Sequence, residues 1–222
     1  MSNLEIIEEN NDYIIVNKVA GLITEKSPYE NLTVENQVFN HFIKSKRKPY
    51  VGVIHRLDRV TSGVIIFAKK KSILVAFNTL FSSRKVQKTY LAIVKDKPIK
   101  SKGTLVNFLV KNNLEKRADI VTSKSKETLD CMLSYKVIDQ NDFGYLLEIK
   151  PKTGRFHQIR AQLAHIGLPI LGDEKYGSVE YYFPLAVCLH AWKITYKDSG
   201  SEEMKTFEAP LPHNKFWKFK SI

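Results

Sequence analysis

The stretch His55-Arg56-Leu57-Asp58-Arg59-Val60-Thr61-Ser62-Gly63 opens directly onto Val64-Ile65-Ile66-Phe67-Ala68, a polar segment feeding an apolar one. The apolar run shows no polar alternation, which is the pattern of a strand covered on both faces. A second apolar stretch at 51–54 precedes the polar segment. The polar residues are therefore a loop held at both ends by a sheet, a position that often carries chemistry. Gly63 permits backbone angles closed to other residues.

Working outward, short strands are expected at 4–8 and 13–17 around an Asn-Asn-Asp turn, with a loop at 19–21. Thr33 is placed to cap a helix over 34–44, where Val34, Val38, Phe39, Phe42 and Ile43 recur at helical spacing and Glu35 lies in the first turn. A helix at 72–83 sets Leu74, Phe77, Leu80 and Phe81 on one side. Strands follow at 90–94, 104–110, 129–138, 144–150 and 186–196. The Lys, Pro and Gly-rich 96–103 is a linker or surface loop, and the polar 111–128 a loop or hairpin. Pro151–Gly154 turns into a helix at 155–166, which Gly167 caps and Pro169 stops. A short final helix after Pro212 packs Phe216 and Trp217 inward. The pattern predicts a mixed α+β fold with many strands in which parallel β-α-β units do not dominate.

With 43% hydrophobic residues in 222, the chain can bury a sizeable core. The amino terminus lacks a basic region followed by an apolar run, and no apolar run is long enough to span a membrane. Cys131 and Cys188 are far apart and read as buried small hydrophobes in a reducing, cytoplasmic setting.

The net charge of +12 is unevenly spread. Residues 1–43 hold seven acids and two lysines, a net of −5, whereas 44–102 hold sixteen Lys or Arg and two acids, a net of +14. Such a concentration attracts a polyanion, and RNA is the partner we expect. A solvated lysine-rich surface is the plainer alternative. An anionic membrane is less suited, because the basic run Lys44, Lys46, Arg47 and Lys48 has no strongly apolar helix beside it.

Two readings of Asp58 stand on the residues alone. Arg56 and Arg59 would hold it ionised, and an ionised aspartate can attack a carbon or accept a proton. The same arrangement also serves as a salt bridge that pins a loop. A second cluster, Pro151-Lys152-Thr153-Gly154-Arg155-Phe156-His157-Gln158-Ile159-Arg160, places Phe156, Ile159, Leu163 and Ile166 on one helical stripe, with Arg160 at its edge. A buried arginine needs a carboxylate or phosphate partner, and Asp58 is one candidate. His157 can position RNA, support the backbone or transfer a proton. No P-loop, dinucleotide-binding glycine pattern or zinc-binding His/Cys spacing occurs, so no cofactor or metal is expected.

HRLDRVTSGVIIFAK at 55–69 and PKTGRFHQIRAQLAHIGLPILGDEKYG at 151–177 together closely resemble the signature segments of the RluA-like RNA pseudouridine synthases. NKVAG at 17–21, KTYLAIV at 88–94 and LHAWKITY at 189–196 fit the same family in the same order. Val19 departs from the pattern, standing where many members have proline.

With this resemblance we expect a central, mainly antiparallel sheet with flanking helices and a catalytic cleft in one domain spanning 1–222. The resemblance implies a reaction without metal or cofactor. Uridine in rRNA or tRNA is cut at its N-glycosidic bond, turned and rejoined through C5. By similarity Asp58 is the catalytic aspartate, acting at the ribose as nucleophile or base. Tyr90 matches the tyrosine that stacks on the target base, and Arg160 the basic residue paired with the aspartate. Arg56 matches an arginine that in some members enters the RNA helix where the uridine leaves. We expect His55, Arg56, Arg59, Arg155, His157 and Gln158 to contact RNA. We also expect a monomer without a separate amino-terminal RNA-binding module, acting on a compact stem-loop. A non-catalytic RNA binder is the main rival. A glycosidic enzyme for small molecules leaves the +14 segment unexplained.

Overall fold

A computed structural model describes residues 4–30, 32–44, 48–197 and 203–222. In chain order the elements are β1 (Glu5–Glu9), β2 (Tyr13–Lys18), α1 (Val34–Ile43), β3 (Gly52–Val53), β4 (Ser62–Ala68), α2 (Lys71–Ser82), β5 (Val86–Val94), β6 (Lys102–Asn112), β7 (Arg117–Val121), β8 (Leu129–Asn141), β9 (Gly144–Pro151), α3 (Gln158–His165), β10 (Leu189–Lys197) and β11 (Met204–Glu208). A short 3-10 turn at Lys215–Trp217 buries Phe216 and Trp217, where the sequence predicts a final helix. The chain divides into two compact units, one of Met1–Lys88 with Ala191–Pro212 and one of Thr89–His190 with His213–Ile222. It passes between them within β5, within β10 and again after Pro212.

In the first unit β2 lies between β1 and β4, antiparallel to both, while β3 pairs with β4 and β11 with β10. Every residue of β4 is buried, as its unbroken apolar run requires. Gly63 has φ +119°, and a Cβ there would lie 2.2 Å from the carbonyl oxygen of Ala191, so only glycine fits. The Thr33 hydroxyl accepts from the Asn36 N–H at 3.1 Å and caps α1, which buries Val34, Val38 and Phe42. Phe77 of α2 meets Tyr13 and Tyr196 edge-to-face, with ring centroids 6.0 and 5.0 Å apart.

The acidic and basic segments of the sequence meet inside this unit. Lys69 pairs with Glu9 and Lys70 with Asp12, each at 2.7 Å, Arg56 pairs with Glu25 at 3.0 Å, and Arg59 pairs with Glu30. Part of the positive charge read as an RNA track is thus neutralised by residues 1–43. Lys46 and Arg47 of the basic run lie outside the described residues.

The second unit orders its strands β5-β9-β8-β6-β7, all antiparallel. The segment at 111–128 forms the β6–β7 hairpin, which was one of its two readings. One face of β6 is covered by α3, where Gln162 donates to the Leu105 carbonyl at 3.2 Å and to Asn107 Oδ1 at 2.8 Å. Leu109, Ala118, Cys131 and Ala161 form the core beneath. Both cysteines are free and buried. The helix begins at Gln158 rather than 155, because His157 takes the left-handed conformation at φ 51° and breaks the turn before it. Phe156 is consequently exposed and stacks on the His157 ring, with centroids 3.9 Å apart, instead of joining the buried stripe.

Candidate active site

The loop bearing Asp58 is fixed from both sides by residues far away in sequence. The Thr24 hydroxyl, itself buried, accepts from the Leu57 N–H at 3.2 Å and donates to the Leu57 carbonyl at 3.0 Å. On the other side the Arg59 carbonyl accepts from Lys18 Nζ at 3.1 Å and from the Gly21 N–H at 2.8 Å. The Thr61 N–H closes the turn onto the Asp58 carbonyl at 3.1 Å. Asp58 is half-buried between these pins.

The arginines on either side of Asp58 are engaged by glutamates, Arg56 by Glu25 and Arg59 by Glu30. Lys18 is a cation whose charge acts on Asp58 within this unit. Lys18 is only 2% exposed and also donates to the Val19 carbonyl at 3.0 Å. Burial pulls its pKa down to about 7, against the attraction of Asp58 and with a smaller repulsion from Arg59. Arg56 keeps a 70% exposed side chain, so its guanidinium stays accessible at the surface.

His55, expected to contact RNA, also supports the strand that follows. Its Nε2 accepts the Ile66 N–H of β4 at 3.2 Å, and its ring stacks on Phe81 at 5.2 Å. Burial, helped by the nearby Lys88 charge, pushes its pKa down to about 3, so the ring is neutral and supports the strand.

In the second unit Tyr90 is half-buried on β5 opposite Ile149. Arg160 is buried, and Asp173 takes its fork, with Nε donating to Oδ2 at 2.6 Å and Nη2 to Oδ1 at 2.7 Å. Asp173 is therefore a carboxylate that the buried guanidinium requires, and the sequence reading had not assigned it a role. The Tyr176 ring lies 5.0 Å from the Arg160 guanidinium carbon, and its hydroxyl is 3.0 Å from His157 Nδ1. His157 is held neutral, its pKa lowered to about 3 by burial first and then by Arg160 and Lys175.

Gln158, expected to contact RNA, is buried and bonded within the protein. Its Oε1 accepts from the Thr153 hydroxyl at 2.8 Å and the Arg155 N–H at 3.0 Å, while Nε2 donates to the Met132 carbonyl at 3.1 Å and to Gln162 at 3.0 Å. All of its hydrogen-bonding capacity is used inside the protein. Arg155 uses its Nε on the Asp130 carbonyl at 3.3 Å and remains partly exposed. Among the described residues no group of three or more His, Cys, Asp or Glu side chains is arranged to hold a metal ion.

Comparison with known proteins places the chain in a family. Residues 12–165 match the model of the RNA pseudouridylate synthase family. The chain is 34% identical to a tRNA pseudouridine synthase C of Vibrio parahaemolyticus over 185 residues, covering 78% of this chain and 74% of the relative. It is 33% identical to a ribosomal large subunit pseudouridine synthase C of Rickettsia conorii over 210 residues, covering 93% and 68%. The structure of human RNA pseudouridylate synthase domain containing 1 superposes with a TM-score of 0.78 at 26% identity, covering 95% of this chain and 84% of that one. With two thirds of its length inside the family model and relatives at this identity, the chain belongs to the RluA-like RNA pseudouridine synthases, which isomerise uridine in RNA.

Proposed function

We propose that the chain isomerises one or more uridines in ribosomal or transfer RNA, with Asp58 as the catalytic carboxylate. The supporting observation is the double pinning of its loop, through Leu57 by Thr24 and through Arg59 by Lys18 and Gly21. A carboxylate held this way needs little reorganisation before it acts.

Asp58 acts at the ribose, as nucleophile or as base, while the N-glycosidic bond breaks. The freed base turns, C5 bonds to the ribose carbon, the hydrogen at C5 leaves as a proton, and N1 takes up a proton in its place. Tyr90 offers its ring as a stacking surface for the target base, which must leave the RNA stack to react. Arg160, ordered by Asp173, supplies positive charge to the reaction. His157 positions neighbouring groups, since a ring with a pKa near 3 is a poor proton acceptor at neutral pH. Arg56, Arg59 and Arg155 contact the RNA. The exposed Arg56 can exchange Glu25 for a phosphate at little cost, because a surface ion pair is weak.

In this reading residues 1–222 act as one catalytic domain, in the cytoplasm, as a monomer without metal or organic cofactor. The free, buried cysteines suit a reducing compartment. Mapping pseudouridine in the RNA of cells with and without the gene tests it. Loss of pseudouridine at defined positions is expected, and an unchanged map would contradict it.

A further inference from the structure

The second unit carries a lysine cluster on the sheet face opposite to Tyr90. The register sets Lys102 directly against Lys136, and Lys136 against Glu148. The neighbouring row on the same face is Thr104, Ser134 and Lys150. Paired residues share a face and successive residues alternate. Tyr90, Ile149 and Tyr135 therefore point to the other side. The α3 helix covers that other side of β6, so it does not shield the lysines. They line an open depression of about 480 Å³ on β6, β8 and β9.

Like charges directly opposite on neighbouring strands are destabilising. Lys150 is partly offset by Glu148, at 2.9 Å. Glu148, opposite Lys136, also lines the depression and is engaged by Lys150, and among the described residues neither Lys102 nor Lys136 has a carboxylate within ion-pair distance, in contrast to Lys69, Lys70, Arg56 and Arg59 of the first unit. Two facing ammonium groups beside the hydroxyls of Thr104 and Ser134 match the oxygens of a phosphodiester in charge and donor chemistry. Val106 and Met132, 68% and 38% exposed, extend the face with an apolar patch suited to a ribose or a base edge.

We propose that this face is a second RNA contact, which grips the backbone of a substrate segment flanking the target uridine. The inference rests on the RNA-modifying reading above and extends it from a single hairpin to a longer substrate. The occupant is RNA rather than an acidic protein because the complementarity is to phosphate and the family's substrate is a phosphate polymer.

The full chain and its Lys102→Glu/Lys136→Glu and Lys102→Gln/Lys136→Gln variants would be assayed on a minimal hairpin and on the same hairpin with long flanking stems. Thermal melts would check folding. We expect KM on the long RNA to rise about tenfold in the charge-reversed variant, with kcat and the hairpin KM unchanged. For the glutamine variant, the slope of log affinity against log salt should fall by about 2, one for each lost phosphate contact. A photo-crosslinker at position 104 should capture RNA in cells. Equal KM values on the long RNA, or adducts with protein alone, would overturn the inference while leaving the enzyme reading intact. A wild-type chain inactive on every RNA would instead overturn the enzyme reading, and this inference with it.

Discussion

The ammonium of Lys18 donates to the carbonyl of Arg59 at 3.1 Å, one residue beyond Asp58. The segment at the end of β2 thereby fixes the backbone of the catalytic loop and places a buried cation where its charge acts on Asp58. That cation is poised to titrate near neutrality, so it ties the loop's electrostatics to pH.

With a pKa of about 7, Lys18 loses its charge as pH rises through neutrality. We expect kcat to fall over that range, and Lys18→Arg to move the fall upward because arginine stays charged. Lys18→Met should lower kcat roughly tenfold at about pH 6, or about 1.4 kcal/mol on the barrier, with little change in KM. Stability moves the other way. Between about 7 and 10.5 the unfolded chain binds more protons at this group, so its contribution to stability rises with pH. A kcat profile unaltered by either substitution would dismiss the role of Lys18.

His55 and His157 are held neutral, with pKa values near 3 against an ordinary 6.5. Below 6.5 the unfolded chain takes up protons that the folded chain refuses, so stability declines as pH falls from 6.5 toward 3. His55→Gln keeps an acceptor for the Ile66 N–H without the titration. Melting temperatures across this range should fall less steeply in that variant, and parallel slopes would count against the assignment.

Asp173→Asn strips a buried arginine of its countercharge. Breaking such a pair costs about 3–5 kcal/mol, because the remaining charge stays buried. Urea denaturation should reveal a loss of that order, together with a fall in turnover. Arg160→Lys should likewise lower turnover, since a lysine cannot reproduce the two-pronged geometry. A loss below about 1 kcal/mol would mean that the pair is not structurally important.

Tyr90 is assigned to stacking. Tyr90→Phe should therefore retain far more activity than Tyr90→Ala, which loses about 1–3 kcal/mol of base stacking. Equal losses in the two variants would shift the role from the ring to the hydroxyl.

Local chemistry accounts for what the sequence reveals and what it hides. The Thr33 cap and the apolar spacing after it determine α1, and the unbroken apolar run determines β4. By contrast, β11 is an edge strand in which Phe207 alone is buried, so it has almost no hydrophobic pattern to detect. The late start of α3 depends on the left-handed backbone of His157, a conformation that residue type does not announce. Asp58 stands out through its charged neighbours, yet those neighbours bind Glu25 and Glu30. Its fixings, Thr24 and Lys18, lie 33 and 41 residues from the positions they hold, beyond the reach of local pattern. Gln158 is polar and could equally be a surface contact or a saturated buried amide, and only packing decides between them.

The central claim is that Asp58 performs the isomerisation. Rejoining through C5 expels the hydrogen there, so RNA carrying tritium at C5 of uridine releases tritium into water as pseudouridine forms. Wild-type protein should release it in a single turnover, whereas Asp58→Ala should release none and still bind the RNA with comparable affinity. Tritium release by Asp58→Ala at the wild-type rate would contradict the account.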